Sequence, residues 1–103
     1  MTPPKRKPER LANIMSGVID DAGLRARMEQ AAVIPEWPRL VGKQIADVTR
    51  PQSITANGTL FVLVKTNAWM NELSLLEPEL LRSLNARANQ APIRRIRWQL
   101  GAL

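Results

Sequence analysis

Apolar residues in the first part of the chain recur with the spacing of an α-helix. Four of them stand at positions i, i+3, i+4 and i+7 and predict one helical face: Leu11, Ile14, Met15 and Val18. A second helix is expected to begin near Ala22, because Asp20 or Asp21 supplies a side chain that caps its first turn. The buried face of this second helix is predicted to carry Leu24, Met28 and Ala31 or Ala32.

A pair of prolines interrupts the helical pattern around Trp37. Pro35 and Pro38 each remove a backbone donor and disfavour helix at the preceding residue, so the helix is expected to break or restart here. Residues 37–46 then favour one further helix, with an apolar side made of Trp37, Leu40 or Val41, and Ile45. Gly42 within it is expected to allow a close backbone approach to a neighbour.

From residue 48 onward the apolar period changes to two, which is typical of β-strands. The segment 49–56 is rich in β-branched residues and ends at Asn57-Gly58, which predicts a two-residue hairpin turn in which both positions tolerate a positive φ. Pro51 marks this strand as an edge strand or the site of a bulge. The return strand, 59–66, directs Leu60, Val62 and Val64 to one face and Phe61, Leu63 and Lys65 to the other.

The last third of the chain predicts a long helix followed by a strand. Asn67 is a plausible cap, and an apolar stripe follows at Trp69, Leu73, Leu76, Leu80 and Leu84. Pro78 lies inside this stripe and predicts a kink or a restart. The final strand, 93–100, alternates, with Ile96, Trp98 and Leu100 predicted to point inward and Arg95, Arg97 and Gln99 outward.

This order of elements predicts an α+β two-layer sandwich: N-terminal helices, then β-β-α-β with a three-stranded sheet. If the last strand runs parallel to a hairpin strand, the long helix is its right-handed crossover. The order is similar to that of KH-like domains, although the Gly-x-x-Gly loop that grips nucleic acid in KH modules is absent. A basic, proline-rich arm is expected at residues 1–8, and a single domain at 9–103.

Composition narrows the possible functions. Fifteen Lys and Arg against nine Asp and Glu give a net charge of +6, which favours an anionic partner. The chain has no Cys and no His, so thiolate, imidazole and zinc-finger chemistry are excluded and an enzyme is not expected. No cofactor, metal or small-molecule substrate is implied, because there is no Gly-rich phosphate loop and no metal-ligand spacing. No apolar run is long enough to cross a bilayer, and a cytoplasmic protein without a membrane partner is expected.

Basic residues provide the candidates for contacts with nucleic acid. They are Lys5, Arg6 and Lys7 of the arm, then Arg39, Lys43, Arg50, Lys65, Arg94, Arg95 and Arg97. Arg94, Arg95, Arg97 and Lys65 are predicted to line the open face of the sheet, with Phe61 and Leu63 between them, a mixture that single-strand binding uses. Alternatively, these charges form a solvated surface that keeps an edge strand from pairing with other chains. The arm is either a phosphate-binding extension or only a solubilising tail.

Three stretches together resemble the DciA family of bacteria. The first is Trp37-Pro-Arg-Leu-Val-Gly42 followed by Ile45-Ala46. The second is Thr49-Arg-Pro51 with the returning Gly58-Thr-Leu-Phe-Val-Leu-Val64. The third is Ala68-Trp-Met-Asn-Glu-Leu73, continuing to Glu79-Leu-Leu81 and Leu84-Asn85. The resemblance covers residues 36–100, and the three stretches occur in the same order as in the family.

This resemblance implies a KH-like domain that interacts with the replicative helicase DnaB, helps to place it on DNA, and itself binds single-stranded or forked DNA weakly. Trp37 and Trp69 are the family-like aromatic residues and are either core residues or docking anchors for the partner. The sequence ends three residues after the predicted last strand, so the only extension expected to help DNA binding is the basic arm. The alternatives are a nucleic-acid-binding module without a helicase partner and a structural homodimer built on the edge strand.

Overall fold

The computed structural model describes the backbone of residues 17–103 and the side chains from residue 21 onward. The basic arm at 1–8 and the predicted apolar face of Leu11, Ile14, Met15 and Val18 therefore lie outside the described backbone or side chains. Seven elements follow one another: α1 Gly17–Ala31, α2 Trp37–Val41, α3 Lys43–Ala46, β1 Thr49–Ile54, β2 Thr59–Val64, α4 Asn67–Leu84 and β3 Arg95–Leu100. None of these helices is long and apolar enough to cross a membrane.

The three strands form one mixed sheet in the order β1-β2-β3. β2 is central, pairing antiparallel with β1 and parallel with β3. Since β2 and β3 are parallel neighbours, α4 is the crossover that connects them, a connection that is right-handed almost without exception. The predicted α+β class and the β-β-α-β order are thus confirmed.

The hydrophobic core lies between one face of the sheet and α4. Leu60, Val62 and Val64 of β2 are fully buried because the central strand has a neighbour on each side and a helix above it. Three leucines of α4 face them, as their spacing predicts: Leu73, Leu80 and Leu84. The ends of the core are closed by Val33, Trp37, Ile93 and Ile96. Burial of each such side chain contributes about 1.5–3 kcal/mol, so this layer dominates the stability of the fold.

α4 begins at Asn67, so its cap lies one residue earlier than predicted, and the helix does not restart at its proline. Thr66, and not Asn67, is the N-cap, because its Oγ1 accepts a 3.1 Å hydrogen bond from the backbone N–H of Trp69. Pro78 lies inside a helix that continues to Leu84. Pro78 is exposed, so the lost backbone bond faces water, which can hydrate the free carbonyl.

The β1–β2 hairpin has a different turn from the predicted two-residue one. Gly58 has a φ of +86°, whereas Asn57 does not have a positive φ. The backbone N–H of Thr55 donates to the carbonyl of Thr59 at 2.9 Å, and that of Gly58 donates to the carbonyl of Thr55 at 3.0 Å. The loop is therefore the three-residue kind that closes with a left-handed glycine, so only one position needs the freedom of Gly.

The irregularity predicted at Pro51 is present. β1 is an edge strand, and its pairing with β2 shifts register between Pro51 and Ser53. Pro51 carries no N–H to donate, so an edge position with a bulge is where a strand accommodates it.

The N-terminal helix differs from the prediction in number and orientation. A single helix runs through Asp20, Asp21 and Ala22, so no second helix begins there. Leu24 and Met28, expected to be buried, are 60% and 63% exposed.

The other side of α1 attaches it to the domain. Gln30 is 5% exposed and its Nε2 donates to the carbonyl of Pro92 at 3.1 Å. The backbone N–H of Ala91 donates to the carbonyl of Ala26 at 3.1 Å. Polar contacts to the loop before β3 therefore decide the orientation of α1, and the apolar period alone did not contain this information.

The segment 37–46 forms two short helices and not one. They are separated at Gly42, whose φ of +90° and ψ of 158° are accessible only to glycine. A Cβ at Gly42 would meet nothing within 4 Å, so the glycine is required for its backbone conformation and not for the predicted close approach.

β3 is shorter than predicted, and its inward-facing side chains are buried only as far as Trp98. The strand starts at Arg95 and not at Ile93, although Ile93 is buried just before it. Ile96 is buried and Trp98 is half-buried, as expected. Leu100, predicted to point inward, is 54% exposed, although its partner on the central strand, Val64, is fully buried.

Candidate nucleic-acid interface

The sheet face opposite the helices carries an apolar column with arginines on both sides. Residues paired across neighbouring strands point to the same face, so Phe61 lies between Ser53 and Arg97. In the same way Leu63 lies between Arg50 and Gln99. Phe61 and Leu63 are half-buried and the arginines are exposed. The face is thus an apolar strip with cationic groups on each edge.

A shallow groove runs across this face at the hairpin end of the sheet. Its floor and walls are formed by the column and by the turn: Thr55, Ala56, Asn57, Thr59, Phe61, Arg95 and Arg97. Its volume of about 580 Å³ falls in the range of small-ligand sites. Arg95 and Arg97 stand two residues apart on one strand, about 7 Å, which is close to the separation of successive phosphates in an extended single strand. The groove therefore offers an aromatic surface and two cations at a suitable spacing.

All the charged residues of the three strands are basic. The three strands contain Arg50, Arg95 and Arg97 but no Asp or Glu. Within the described part of the chain, no salt bridge involves any of these three arginines. An anionic ligand that binds these arginines therefore breaks no ion pair between described residues.

Two of the predicted basic residues, Arg39 and Lys43, lie in the helical layer and are paired there. Arg39 forms an ion pair with Glu36, and Lys43 binds Asp47 at 2.7 Å. The hydrogen bond from Arg39 lowers the pKa of Glu36, to which the charge of Arg87 contributes further. The hydrogen bond to Asp47 raises the pKa of Lys43. Arg39 and Lys43 thus lie in the helical layer, whereas Arg95 and Arg97 lie on the sheet.

Lys65 and Arg94 border the sheet at opposite ends. Lys65 follows β2 at the end near Leu100, about 20 Å along the strand from the position paired with Arg95. Arg94 precedes β3, and its backbone N–H donates to the carbonyl of Gly58 at 2.7 Å. The structure therefore brings together Phe61, Arg95 and Arg97, with Arg50 and Leu63 one row away, and leaves Lys65 apart. Lys5, Arg6 and Lys7 lie outside the described residues.

The two candidate docking tryptophans occupy core positions to different degrees. Trp37 is 2% exposed and its indole donates to Thr49, so its position corresponds to the core alternative and presents no surface to a partner. Trp69 is half-buried in the first turn of α4 and packs against the core. Only Trp69 therefore retains surface that a partner can contact.

The turn adds polar residues to the groove that the sequence pattern does not identify. Thr55, Asn57 and Thr59 line the groove beside Arg95 and Arg97. The signal that identifies them is strand register, since Thr59 pairs with Arg95. The sequence alone does not give the order and direction of the third strand, so this pairing could not be predicted. Among the described residues, no cluster of His, Cys, Asp or Glu is arranged to hold a metal ion.

Comparison with known proteins assigns the family. Residues 10–98 match the family model DciA, described as "Dna[CI] antecedent, DciA". The chain is 31% identical over 84 residues to a UPF0232 protein of Mycolicibacterium smegmatis, covering 82% of this chain and 43% of the relative. A UPF0232 protein of Mycobacterium leprae (strain Br4923) is 30% identical over 84 residues, covering 82% and 44%. The chain thus spans less than half the length of these relatives. The family match extends over most of the sequence, and the chain belongs to the DciA family.

Proposed function

We propose that this protein is an accessory factor of bacterial DNA replication that binds the replicative helicase DnaB and assists its loading, with single-stranded DNA held on the open sheet face. Membership of the DciA family supports the helicase partner. The observation that supports the DNA site is the column of Phe61 and Leu63 with arginines on both sides that form no salt bridge with any described residue. The proposed role is binding and positioning in the cytoplasm, without catalysis.

The face suits a single strand better than a duplex. Bases have apolar faces that stack on an aromatic ring such as Phe61, and this contact is available only when bases are unpaired. Arg95 and Arg97 on one edge and Arg50 on the other supply cations for the backbone phosphates. The ligand class is therefore single-stranded DNA with little sequence preference, because stacking and phosphate contacts occur with every base.

The test is binding of the purified protein to the DnaB helicase of the same organism, with and without single-stranded DNA, at two salt concentrations. We expect a complex without DNA that survives moderate salt, and an increase in its affinity when DNA is added. A triple variant, Arg50→Gln, Arg95→Gln and Arg97→Gln, should keep the DNA-independent complex and lose the increase. A control with the same loss of charge on the helical layer is Arg39→Gln, Lys43→Gln and Arg82→Gln, which should retain the increase.

A second candidate function is a stand-alone single-strand-binding module, which the basic and aromatic composition of the open face also favours. It predicts DNA binding that collapses as salt rises and no complex with the helicase at either salt concentration. That result would overturn the helicase proposal while retaining the DNA site. Helicase binding with no DNA affinity would overturn the DNA site alone.

A further inference from the structure

β3 forms one edge of the sheet. Among the described strands it pairs only with β2, and the backbone N–H of Gly101, just after β3, donates to the carbonyl of Val64 at 3.1 Å. The N–H groups of alternate residues in a strand point to the same side, so those of Ile96, Trp98 and Leu100 point away from β2. An edge with outward N–H and C=O groups is a template for pairing with another extended chain.

α4 closes the first part of this edge. One carboxylate oxygen of Glu77 accepts a 3.2 Å hydrogen bond from the backbone N–H of Ile96, and the other accepts from the indole Nε1 of Trp98 at 3.3 Å. No backbone hydrogen bond joins the N–H of Trp98 or Leu100 to a described residue outside the sheet. The stretch from Trp98 to Leu100, called the free edge below, is therefore the part that another strand can pair with.

The opposite edge of the sheet is less suited to such pairing. β1 carries Pro51, which has no N–H, and its register shifts between Pro51 and Ser53. Prolines and bulges are features that keep an edge strand from pairing with other chains. β3 contains no proline and pairs with β2 in continuous register. The free edge of β3 is therefore the better position for an added strand.

The two faces of β3 differ in chemistry along the free edge. Toward α4 lie Trp98, which is half-buried, and Leu100, which is 54% exposed. On the open face Arg97 and Gln99 are exposed. Successive side chains of an added strand lie alternately beside these two pairs, because opposite residues of paired strands share a face. Apolar side chains suit the face toward α4, and acidic side chains suit the open face.

Charge favours an acidic partner over a second copy of this chain. The charged residues of the three strands are Arg50, Arg95 and Arg97, and the whole chain has a net charge of +6. A second β3 therefore brings no carboxylate to Arg97, and two chains of the same charge repel each other. Nucleic acid supplies anions but lacks the alternating N–H and C=O groups that pair with a strand edge. An acidic extended peptide supplies both.

We propose that the free edge binds an extended segment of a partner protein in which acidic and apolar residues alternate. The segment forms backbone hydrogen bonds with Trp98 and Leu100 and adds a fourth strand to the sheet. Its apolar side chains cover Leu100, and its carboxylates bind Arg97. Because Arg97 pairs with Phe61 in the proposed DNA site, the segment and single-stranded DNA compete for this arginine. Only this competition rests on the proposed function.

The test is a titration of the isotope-labelled chain, without helicase or DNA, with a short synthetic peptide in which Glu and Val alternate. Amide chemical shifts in NMR spectra detect binding with dissociation constants up to about 1 mM, which suits a short added strand. We expect the largest shifts at the amides of Trp98 and Leu100, and slower hydrogen exchange of both amides in the complex. A matched peptide with Lys in place of every Glu should bind at least about tenfold more weakly.

Substitutions at one position separate the backbone from the side chain. Leu100→Pro removes the outward N–H, which the pairing with β2 does not use, and should weaken peptide binding at least about tenfold. Leu100→Val keeps both the N–H and an apolar side chain, so it should bind like wild type. Circular dichroism establishes that each variant is folded.

A substitution on the open face tests the charge separately. Arg97→Gln, at an exposed position, should weaken binding of the Glu peptide and reduce the difference between the Glu and Lys peptides. This variant keeps every backbone group of the free edge, so it also tests the proposal if Leu100→Pro does not fold.

Several results would overturn the proposal. They are unchanged amide shifts at Trp98 and Leu100 with the Glu peptide at about 1 mM, wild-type affinity in a folded Leu100→Pro, or equal affinity for the Glu and Lys peptides. A solution mass that rises with concentration in wild type but not in Leu100→Pro would assign the free edge to a second copy instead. Neither helicase nor DNA is present, so these outcomes are independent of the proposed replication function.

Discussion

The indole Nε1 of Trp37 donates a 2.8 Å hydrogen bond to the hydroxyl of Thr49, joining the first residue of α2 to the first residue of β1. The hydroxyl in turn donates to the carbonyl of Ile45 at 2.7 Å. Both side chains are buried, so each polar group is satisfied where water cannot reach it. Because Arg50 follows Thr49 directly, the same contact fixes the edge strand that carries one side of the candidate DNA site.

Replacing Trp37 should reduce the free energy of unfolding and leave the surface of the folded protein largely unchanged, because the side chain is buried. Trp37→Phe removes the hydrogen bond and part of the ring, and we expect a loss of about 1–3 kcal/mol. Trp37→Ala should cost about 3–5 kcal/mol. Urea denaturation followed by circular dichroism measures both. Thr49→Val alone and with Trp37→Phe completes a double-mutant cycle, and a coupling near zero would contradict the role given to this contact.

The same variant distinguishes the two roles considered for Trp37. As a core residue, Trp37→Phe should keep its affinity for the helicase at temperatures where it remains folded. A large loss of helicase affinity in a fully folded Trp37→Phe would instead identify Trp37 as a docking anchor.

Strands and core were predictable from the sequence where one local pattern determined them. Alternation identified β2 and its buried Val62, and the four-residue spacing identified Leu73 and Leu80 on α4. Pro51 indicated the bulge because a missing N–H has the same consequence in every sheet.

Features that depend on long-range contacts were not predictable. Leu24 and Met28 have the spacing of a buried face, yet the bonds of Gln30 and Ala26 to the loop before β3 turn them outward. Predicting the groove requires the parallel register of β3, which pairs Thr59 with Arg95 across a long crossover connection. Local periodicity does not contain either relationship.

Two glycines should respond to alanine in opposite directions. Gly58 has a positive φ, and a Cβ there would lie 2.8 Å from the carbonyl oxygen of Pro92, so Gly58→Ala should destabilise the fold by about 2 kcal/mol or more. Gly23 lies within α1 with open space around it, so Gly23→Ala should stabilise it by about 1 kcal/mol. Thermal denaturation of both variants provides the comparison. A Gly58→Ala protein as stable as wild type would show that the turn can adopt another conformation.

Acid should remove the contribution of Glu36 to stability. Its pKa is lowered from the ordinary 4.5 mainly by the hydrogen bond from Arg39, so the folded state favours the charged form. Stability from this group is therefore present above pH 4.5 and is lost as pH falls through the lower folded value. Wild type should exceed Glu36→Gln in melting temperature at neutral pH, and the difference should vanish in acid. Glu79→Gln serves as the charge-matched control, and a difference that is constant with pH would contradict the ion pair.

The arginines of the open face should account for part of the salt dependence of DNA binding. For single strands the logarithm of the binding constant falls with the logarithm of salt concentration by about 0.7 for each phosphate neutralised. Arg95→Gln with Arg97→Gln should therefore reduce the slope by about 1.4, whereas Arg39→Gln with Lys43→Gln, on the other layer, should leave it nearly unchanged.

Phe61 should contribute to the affinity for single-stranded DNA through base stacking and not through charge. Phe61→Leu keeps an apolar side chain on the central strand but removes the ring on which a base stacks, at a cost of about 1–3 kcal/mol of affinity. Because no charge is lost, the slope with salt should be that of wild type. Fluorescence anisotropy with a labelled oligonucleotide, titrated at several salt concentrations, separates the two effects. A Phe61→Leu variant that binds as tightly as wild type would leave only charge attraction on this face, and the arginines would then act as a general phosphate-binding surface without a base platform.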